Sequence, residues 1–310
     1  MSDLNNREFP LVSIVILTYQ NFMHLGFTLE TISIQKYHNY EIVISDDASS
    51  FFPRKEIEHL VEVFFSGLGI SVAIRKNDNN LGLVAHSNVV ARSCNGRYIK
   101  FLSPGDGFCS SDSLAELVNL ISSSNMDIAT SPAYVYVNSP NTILYQLPSM
   151  RRIRLLKAKA ADSIFSMIAA KNIISAVGTI YSKTFFEKRG FDERYYSLDD
   201  WPTWLLTYRT GNLIPVLNNP TVYYKLGGIS TDQGTAFDSS FLKQDLLICY
   251  EKEILPYRKK LNLISYWIVQ SHYEKLKRGT STMFYLKYWP IEGYIAVKKR
   301  IKHLMILRQK

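Results

Sequence analysis

The sequence predicts an α/β protein built on a doubly wound, mostly parallel sheet with a C-terminal helical extension. Three observations predict it. Short β-branched runs recur at the spacing of βαβ units, the stretches between them carry helical periodicity, and beyond about residue 236 the chain turns helical and basic. The 310 residues are 46% hydrophobic and 20% charged, enough to bury one large α/β core with an appendage.

From Leu11 to Leu17 the run LVSIVIL is continuously apolar, as a strand buried on both faces must be, and the polar TYQN stops it. A helical pattern follows to about Gln35, with Leu25, Leu29 and Ile32 on one face. YEIVIS (Tyr40 to Ser45) is a second buried strand ending in Asp46-Asp47. The unit repeats as a helix from about Pro53 to Phe65, a strand from Ile70 to Arg75, a helix from about Gly82 to Arg92 and a strand from Arg97 to Leu102. The loops after these strands are TYQN, DDASS, NDNNLG and SPGDG, all polar, at the strand ends where α/β sheets bind ligands. A helix is expected near Ser111 to Ser123. From Ala133 to Lys159 strand-like and basic segments show no sustained period, and a helix-and-strand block resumes from Asp162 to Tyr224.

Cys94, Cys109 and Cys249 are widely spaced and odd in number, which argues against a disulfide framework or zinc site and for a reducing, cytoplasmic compartment. The start MSDLNNREFP has no signal-peptide character, and no apolar run approaches the roughly 18 residues of a membrane span. The net charge of +9 is uneven: residues 257–310 hold 13 Lys/Arg against Glu274 and Glu292, a net of +11, leaving −2 for the rest. Two readings of that tail stand side by side. It is a helical subdomain with a solvated basic face, or an interfacial segment attracted to anionic lipid. No nucleic-acid-binding module is present.

The chemistry-bearing residues start at the strand ends. There is no GxGxxG after Leu17 and no GxxxxGK[ST], which excludes the usual dehydrogenase and P-loop phosphate sites. Thr18, Tyr19 and Asp46-Asp47 are the nucleotide candidates, since a carboxylate can accept from a uracil or thymine imide N–H or from ribose hydroxyls. An Asp pair after a strand is equally a turn or helix cap. Asp106 lies in the turn string Pro-Gly-Asp-Gly, and Asp199-Asp200 before WPTW has the form of an N-cap with Pro202 in the first turn. Trp201 and Trp204 suit packing as well as sugar stacking, and the histidines show no metal-ligand spacing.

In combination the motifs are more specific. VSIVILTYQN, YEIVISDDAS, NLG and NGRYIKFLSPGD resemble the donor-binding half of the inverting family 2 glycosyltransferases of GT-A fold, whose usual forms are VSVIIPTYN, EIIVVDDGS, N.G and GEYI.FLDADD. Downstream, VGTIYSKTFFEKRGFDERYYSLDDWPTWLL resembles the acceptor-side GGFDE and EDxDLWLR. The resemblance covers Pro10 to Ser230 in the family's order. It implies a GT-A domain over 1–235, its nucleotide-binding half at about 10–110 and acceptor half at about 111–235, followed by the basic helical region 236–310.

Position by position, the resemblance implies Thr18, Tyr19 and Asp47 as contacts to donor base and ribose, with Asp46 supporting the loop. Asn80, Gly82 and Asn88 fall beside the nucleotide, although the arginine usual before Asn88 is Ser87 here. Asp200 matches the acid that deprotonates the acceptor hydroxyl, with Asp199 and Trp201 as acceptor-side support. The family's DxD falls on Ser103-Pro104-Gly105, leaving Asp106 as the acid for a divalent cation, Mg²⁺ or Mn²⁺, and its usual histidine falls on Gly227. The implied activity is transfer of a sugar from a UDP- or dTDP-linked donor to a glycan or lipid-linked acceptor in surface polysaccharide or glycoconjugate synthesis. Two rivals are a non-catalytic sugar-nucleotide-binding module on the same fold and a nucleotidyltransferase, whose glycine-rich basic loop TYQNFMHLG does not match.

Overall fold

The computed structural model describes residues 9–227, 239–280 and 282–307. The chain opens with β1 (Val12–Thr18), α1 (Leu25–Ser33), β2 (Tyr40–Asp46), α2 (Arg54–Phe65), β3 (Val72–Lys76), α3 (Leu83–Ser93) and β4 (Tyr98–Leu102). It continues through β5 (Gly107–Phe108), α4 (Ser113–Ser124), β6 (Ile128–Thr130), β7 (Ala133–Tyr136), β8 (Ile143–Leu147), α5 (Met150–Ala158), α6 (Ala161–Ala170), β9 (Thr179–Ser182), α7 (Lys183–Lys188), α8 (Asp200–Arg209) and β10 (Val222–Lys225). The tail comprises α9 (Ser239–Cys249), a π turn (Tyr250–Ile254), a 3₁₀ turn (Leu255–Lys260), α10 (Leu263–Arg278) and α11 (Thr282–Leu307).

The main sheet has the order β3-β2-β1-β4-β9-β6. Its first four strands are parallel, Ile14 pairing with Ile42 and Lys100, but β9 runs antiparallel to both β4 and β6. A second sheet, β5-β10-β7-β8, mixes directions: β10 is antiparallel to β5 and parallel to β7, and β7 is antiparallel to β8. The expectation of a mostly parallel doubly wound sheet therefore holds for the nucleotide half and is corrected for the remainder, where hairpins and returns replace βαβ crossovers.

Strand alternation explains the continuous apolar runs. Val12, Ile14 and Ile16 of β1 face a core shared with α1, α2 and α4, while Val15 faces a second core shared with α3, α6, α7 and α8. The second core also takes in Cys249, Tyr250, Ile254 and Val269, so the first helices of the tail pack into the same interior as α6 and α8. Farther out, α11 packs on α10 and buries Phe284 and Tyr288. The loosely patterned stretch after Ala133 resolves into the β7–β8 hairpin and α5, whose Ile153 and Leu156 enter the second core.

Candidate active site

At the end of β2, Asp46 is fully buried and fastens two loops. Its Oδ1 accepts from the Thr18 hydroxyl at 3.0 Å, and its Oδ2 accepts from Ser49 N at 2.8 Å. Thr18 and Asp46 thus hold each other. Tyr19, the next residue, is 39% exposed and presents its ring at the strand end. Beneath the pair, buried His86 on α3 bonds Ser45 at 2.8 Å, and burial holds its pKa below the ordinary value, in keeping with a packed rather than ligating histidine.

Asp47 anchors the loop before α3. Its Oδ1 accepts from the Asn77 amide and from Leu81 N, each at 2.9 Å, and its Oδ2 accepts from Gly82 N at 2.9 Å. The Asn80 amide returns to the Asp47 carbonyl at 3.1 Å. A carboxylate has about four acceptor positions, so these three donors leave room for roughly one from a ligand. Gly82 has φ +81, and a Cβ there would stand 2.5 Å from the Tyr196 ring. Asn88 does not join this group. It is fully buried, donates to Phe191 O and Glu193 Oε1 at 2.9 Å each, and accepts from Phe191 N at 2.8 Å. Asn88, which the resemblance places beside the nucleotide, forms a structural tie between α3 and the 190–193 loop.

The acceptor-side acids lie at the start of α8. Asp199 occupies the N-cap position, yet its side chain makes no capping bond; the Thr203 hydroxyl bonds its carbonyl instead, at 2.8 Å. Asp200 accepts from the Asn172 amide at 2.8 Å and from Trp201 N. Burial, then the charge of Asp200, pushes Asp199 up to about 7, and burial also raises Asp200 against the pull of its Asn172 and Trp201 bonds. Trp201 is buried, donates to Ile168 O at 2.8 Å and meets Tyr250 edge to face, while Trp204 stacks on Tyr181, so both tryptophans are packing residues.

Tyr196 joins the two halves. Its hydroxyl donates to Asn80 Oδ1, and its carbonyl accepts from Val84 N at 3.2 Å. Behind it, buried Asp245 of α9 accepts from Tyr196 N at 3.0 Å, Ser197 N at 2.6 Å and Leu198 N at 3.1 Å. The segment leading into Asp199-Asp200 is therefore clamped between the Asp47 loop and the helical tail. Asn172, Tyr196 and Asp245 carry no motif signal; an isolated acid in an amphipathic helix is the only trace Asp245 leaves in the sequence.

Where the DxD would fall, Ser103–Asp106 forms a tight turn after β4. Asp106 N donates to Ser103 O at 2.9 Å, and the Thr28 hydroxyl bonds Asp106 O at 2.7 Å. Buried Asp106 spends Oδ2 on Ser103 N and Oδ1 on Lys225 N, each at 3.1 Å. Burial pushes its carboxyl up to about 7 and pushes the ammonium of fully buried Lys100 down to about 7, each charge partly favouring the other. At Gly105, the position of the family's second carboxylate, a Cβ would lie 2.5 Å from Lys225 Cδ. Among the described residues no group of three or more His, Cys, Asp or Glu could hold a metal ion. One carboxylate with two of its roughly four acceptor positions taken by backbone donors, and a lysine stem where its partner would project, is a thin ligand set for a resident Mg²⁺ or Mn²⁺ in the absence of substrate phosphates. In the structure Asp106, the acid the resemblance offers to a cation, braces the turn against β10.

Comparisons with known proteins agree with this architecture. The family model "Glycosyl transferase family 2" matches residues 13–178, more than half of the chain. A Haemophilus influenzae protein described as an uncharacterized glycosyltransferase is 26% identical over 230 residues, covering 72% of each chain. Residues 1–349 of S. aureus TarS, in complex with UDP-GlcNAc, superpose with a TM-score of 0.54 at 14% identity, covering 86% of this chain and 81% of that one. The mannosyltransferase PcManGT from Pyrobaculum calidifontis, in complex with GDP-Man and Mn²⁺, gives a TM-score of 0.55 at 13% identity, covering 94% and 80%. At such identities the structural likeness shows the fold, while the family model reaches across the Asp47 loop and the turn at Asp106: the chain belongs to glycosyl transferase family 2.

Proposed function

We propose that this glycosyltransferase inverts the anomeric centre in a single in-line displacement, moving a sugar from a UDP- or dTDP-linked donor to a hydroxyl of a glycan or lipid-linked acceptor. The observation that carries the reading is the Tyr196 linkage, which ties the Asp47 loop at the carboxyl end of β2 to the segment entering the Asp199-Asp200 pair. Asp47 has acceptor capacity left for a base imide or ribose hydroxyl, and Tyr19 offers a ring for the base. Asp200 accepts the acceptor's proton. Burial raises its pKa, which brings its basicity closer to working pH, and its bond from Asn172 fixes its orientation. Asp199 shapes the charge of the pair.

UDP-GlcNAc in the TarS complex and GDP-Man in the PcManGT complex make uridine and guanosine donors the first to try. Thermal unfolding in the presence of UDP-, GDP- and dTDP-sugars tests the reading, because a ligand at 100 times its Kd stabilises by about 2.7 kcal/mol. The reading expects one base class to protect and to be consumed with release of the nucleoside diphosphate. Ser103-Pro104-Gly105 in place of DxD favours a second reading, a binding module without turnover, which protection without consumption would support.

The tail serves this chemistry by holding the enzyme on an anionic surface at the inner face of the cell membrane. Among the described residues no helix is long and apolar enough to cross a membrane, but Leu263, Ile264, Trp267, Leu286 and Trp289 are exposed on a strongly basic segment.

A further inference from the structure

We propose that the ammonium of Lys225 supplies the positive charge that meets the donor's diphosphate, so that nucleoside diphosphates bind this site without a divalent cation. The proposal rests on the nucleotide-sugar reading above. In the order β3-β2-β1-β4 the chain moves outward from β1 to β2 and β3, then returns to place β4 on the other side of β1. The crevice beyond the carboxyl ends of β1 and β4 is thus the switch point at which open α/β sheets bind ligands. Three pieces of chain converge there: His24 after β1, the Ser103–Asp106 turn after β4, and Lys225 at the end of β10.

Their contact is close. A Cβ on Gly105 would stand 2.5 Å from Cδ and 3.2 Å from Cβ of Lys225, and 3.4 Å from Cβ of His24. The lysine stem therefore lies along the turn in the volume that a side chain at residue 105 would need. Its backbone is fixed by the bond from Lys225 N to Asp106 and by the pairing of β10 with β5 and β7, and the Tyr136 hydroxyl holds the Gly105 carbonyl. Lys225 is half-buried, and no carboxylate lies within ion-pairing distance of it among the described residues. The nearby Asp106 is buried under its two backbone donors, and the half-buried lysine carries its charge on a stem laid along the same turn. Phosphate oxygens developing charge as the sugar departs are stabilised by a preorganised cation, and an ammonium with three donors provides one.

Calorimetric titration tests the proposal, with UDP and GDP as probes and uridine and guanosine as their phosphate-free controls, each in EDTA and again with Mg²⁺ or Mn²⁺. Wild type should bind one diphosphate in EDTA about as well as with metal. Lys225→Gln, its fold checked by circular dichroism, should weaken the diphosphate by about 10- to 100-fold, as loss of a charged hydrogen bond does, and leave the nucleoside unchanged. Lys225→Arg should keep most of the affinity. If Lys225→Gln fails to fold, the EDTA comparison on wild type and Lys225→Arg decides. Diphosphate binding that appears only on adding metal, or equal loss of nucleoside and diphosphate in Lys225→Gln, overturns the proposal while leaving the nucleotide site standing. Binding of neither UDP nor GDP under any condition removes the nucleotide-sugar reading and this proposal with it.

Discussion

The ring of Tyr196 lies where a Cβ on Gly82 would project, 2.5 Å from it, while the tyrosine hydroxyl bonds Asn80 two residues earlier. The contact requires glycine twice over, since residue 82 also has φ +81. Gly82→Ala should cost about 1–3 kcal/mol of stability, the range for a residue forced into a sparsely populated backbone region. Urea unfolding measures it, and a loss within 0.3 kcal/mol or so would mean that the loop relaxes without resistance.

Asp47 is the second test, because three donors from its own loop converge on its carboxylate. Asp47→Ala strips the partners from Leu81 N and Gly82 N and removes the acceptor offered to the nucleotide. Binding of UDP should weaken by about 1.5–3 kcal/mol, as for a hydrogen bond to a charged group. Unchanged affinity in a titration would place the nucleotide elsewhere.

Asp199 gives a dependence on pH. Its carboxyl, ordinarily near 3.8, is pushed up to about 7 by burial first and the Asp200 charge second. Between these values the folded chain holds a proton that the unfolded chain has released. The stability this group contributes is complete below about pH 4 and is lost as pH rises through about 7. Asp199→Asn abolishes the titration, so the stability of the variant relative to wild type should climb from pH 4 to pH 8. A difference that stays flat across that window would show that Asp199 titrates normally.

The tail offers a fourth test. Trp289 is 68% exposed and Leu286 75% exposed, both on α11. If they dip into a membrane surface, sedimentation with vesicles should require anionic lipid and weaken as salt shortens the Debye length from about 10 Å at 0.1 M to about 3 Å at 1 M. Leu286→Ser with Trp289→Ser should remove the salt-resistant remainder. Equal binding to neutral vesicles, or none to any, would return the tail to a packed subdomain.

The parallel half of the fold is legible in the sequence because burial on both faces forces unbroken apolar runs, as in Val12–Thr18 and Tyr40–Asp46. The direction of β9 is not legible. Its four residues, Thr179–Ser182, would read alike in either sense, and only the return through α6 fixes it. Asp46, Asp47 and Asp199-Asp200 announce themselves as acids at element ends, but whether each bonds a ligand or the protein depends on loops folded against them. Asn88 shows the difference: its motif position suggests the nucleotide, while its amide is spent on Phe191 and Glu193 more than 100 residues away. Asp245 and Lys225 make contacts with Tyr196 and Gly105 that no local pattern encodes.

The most direct measurement is turnover by Asp200→Asn. The substitution keeps the volume of the side chain and its place beside Asn172 and removes its capacity to take a proton. With a donor identified by thermal protection, transfer monitored by nucleoside diphosphate release should fall by about 10²–10⁴-fold while donor affinity stays within a factor of two or so. Activity within a few-fold of wild type would contradict the account, leaving Asp200 as a helix-terminal residue and the proton acceptor elsewhere.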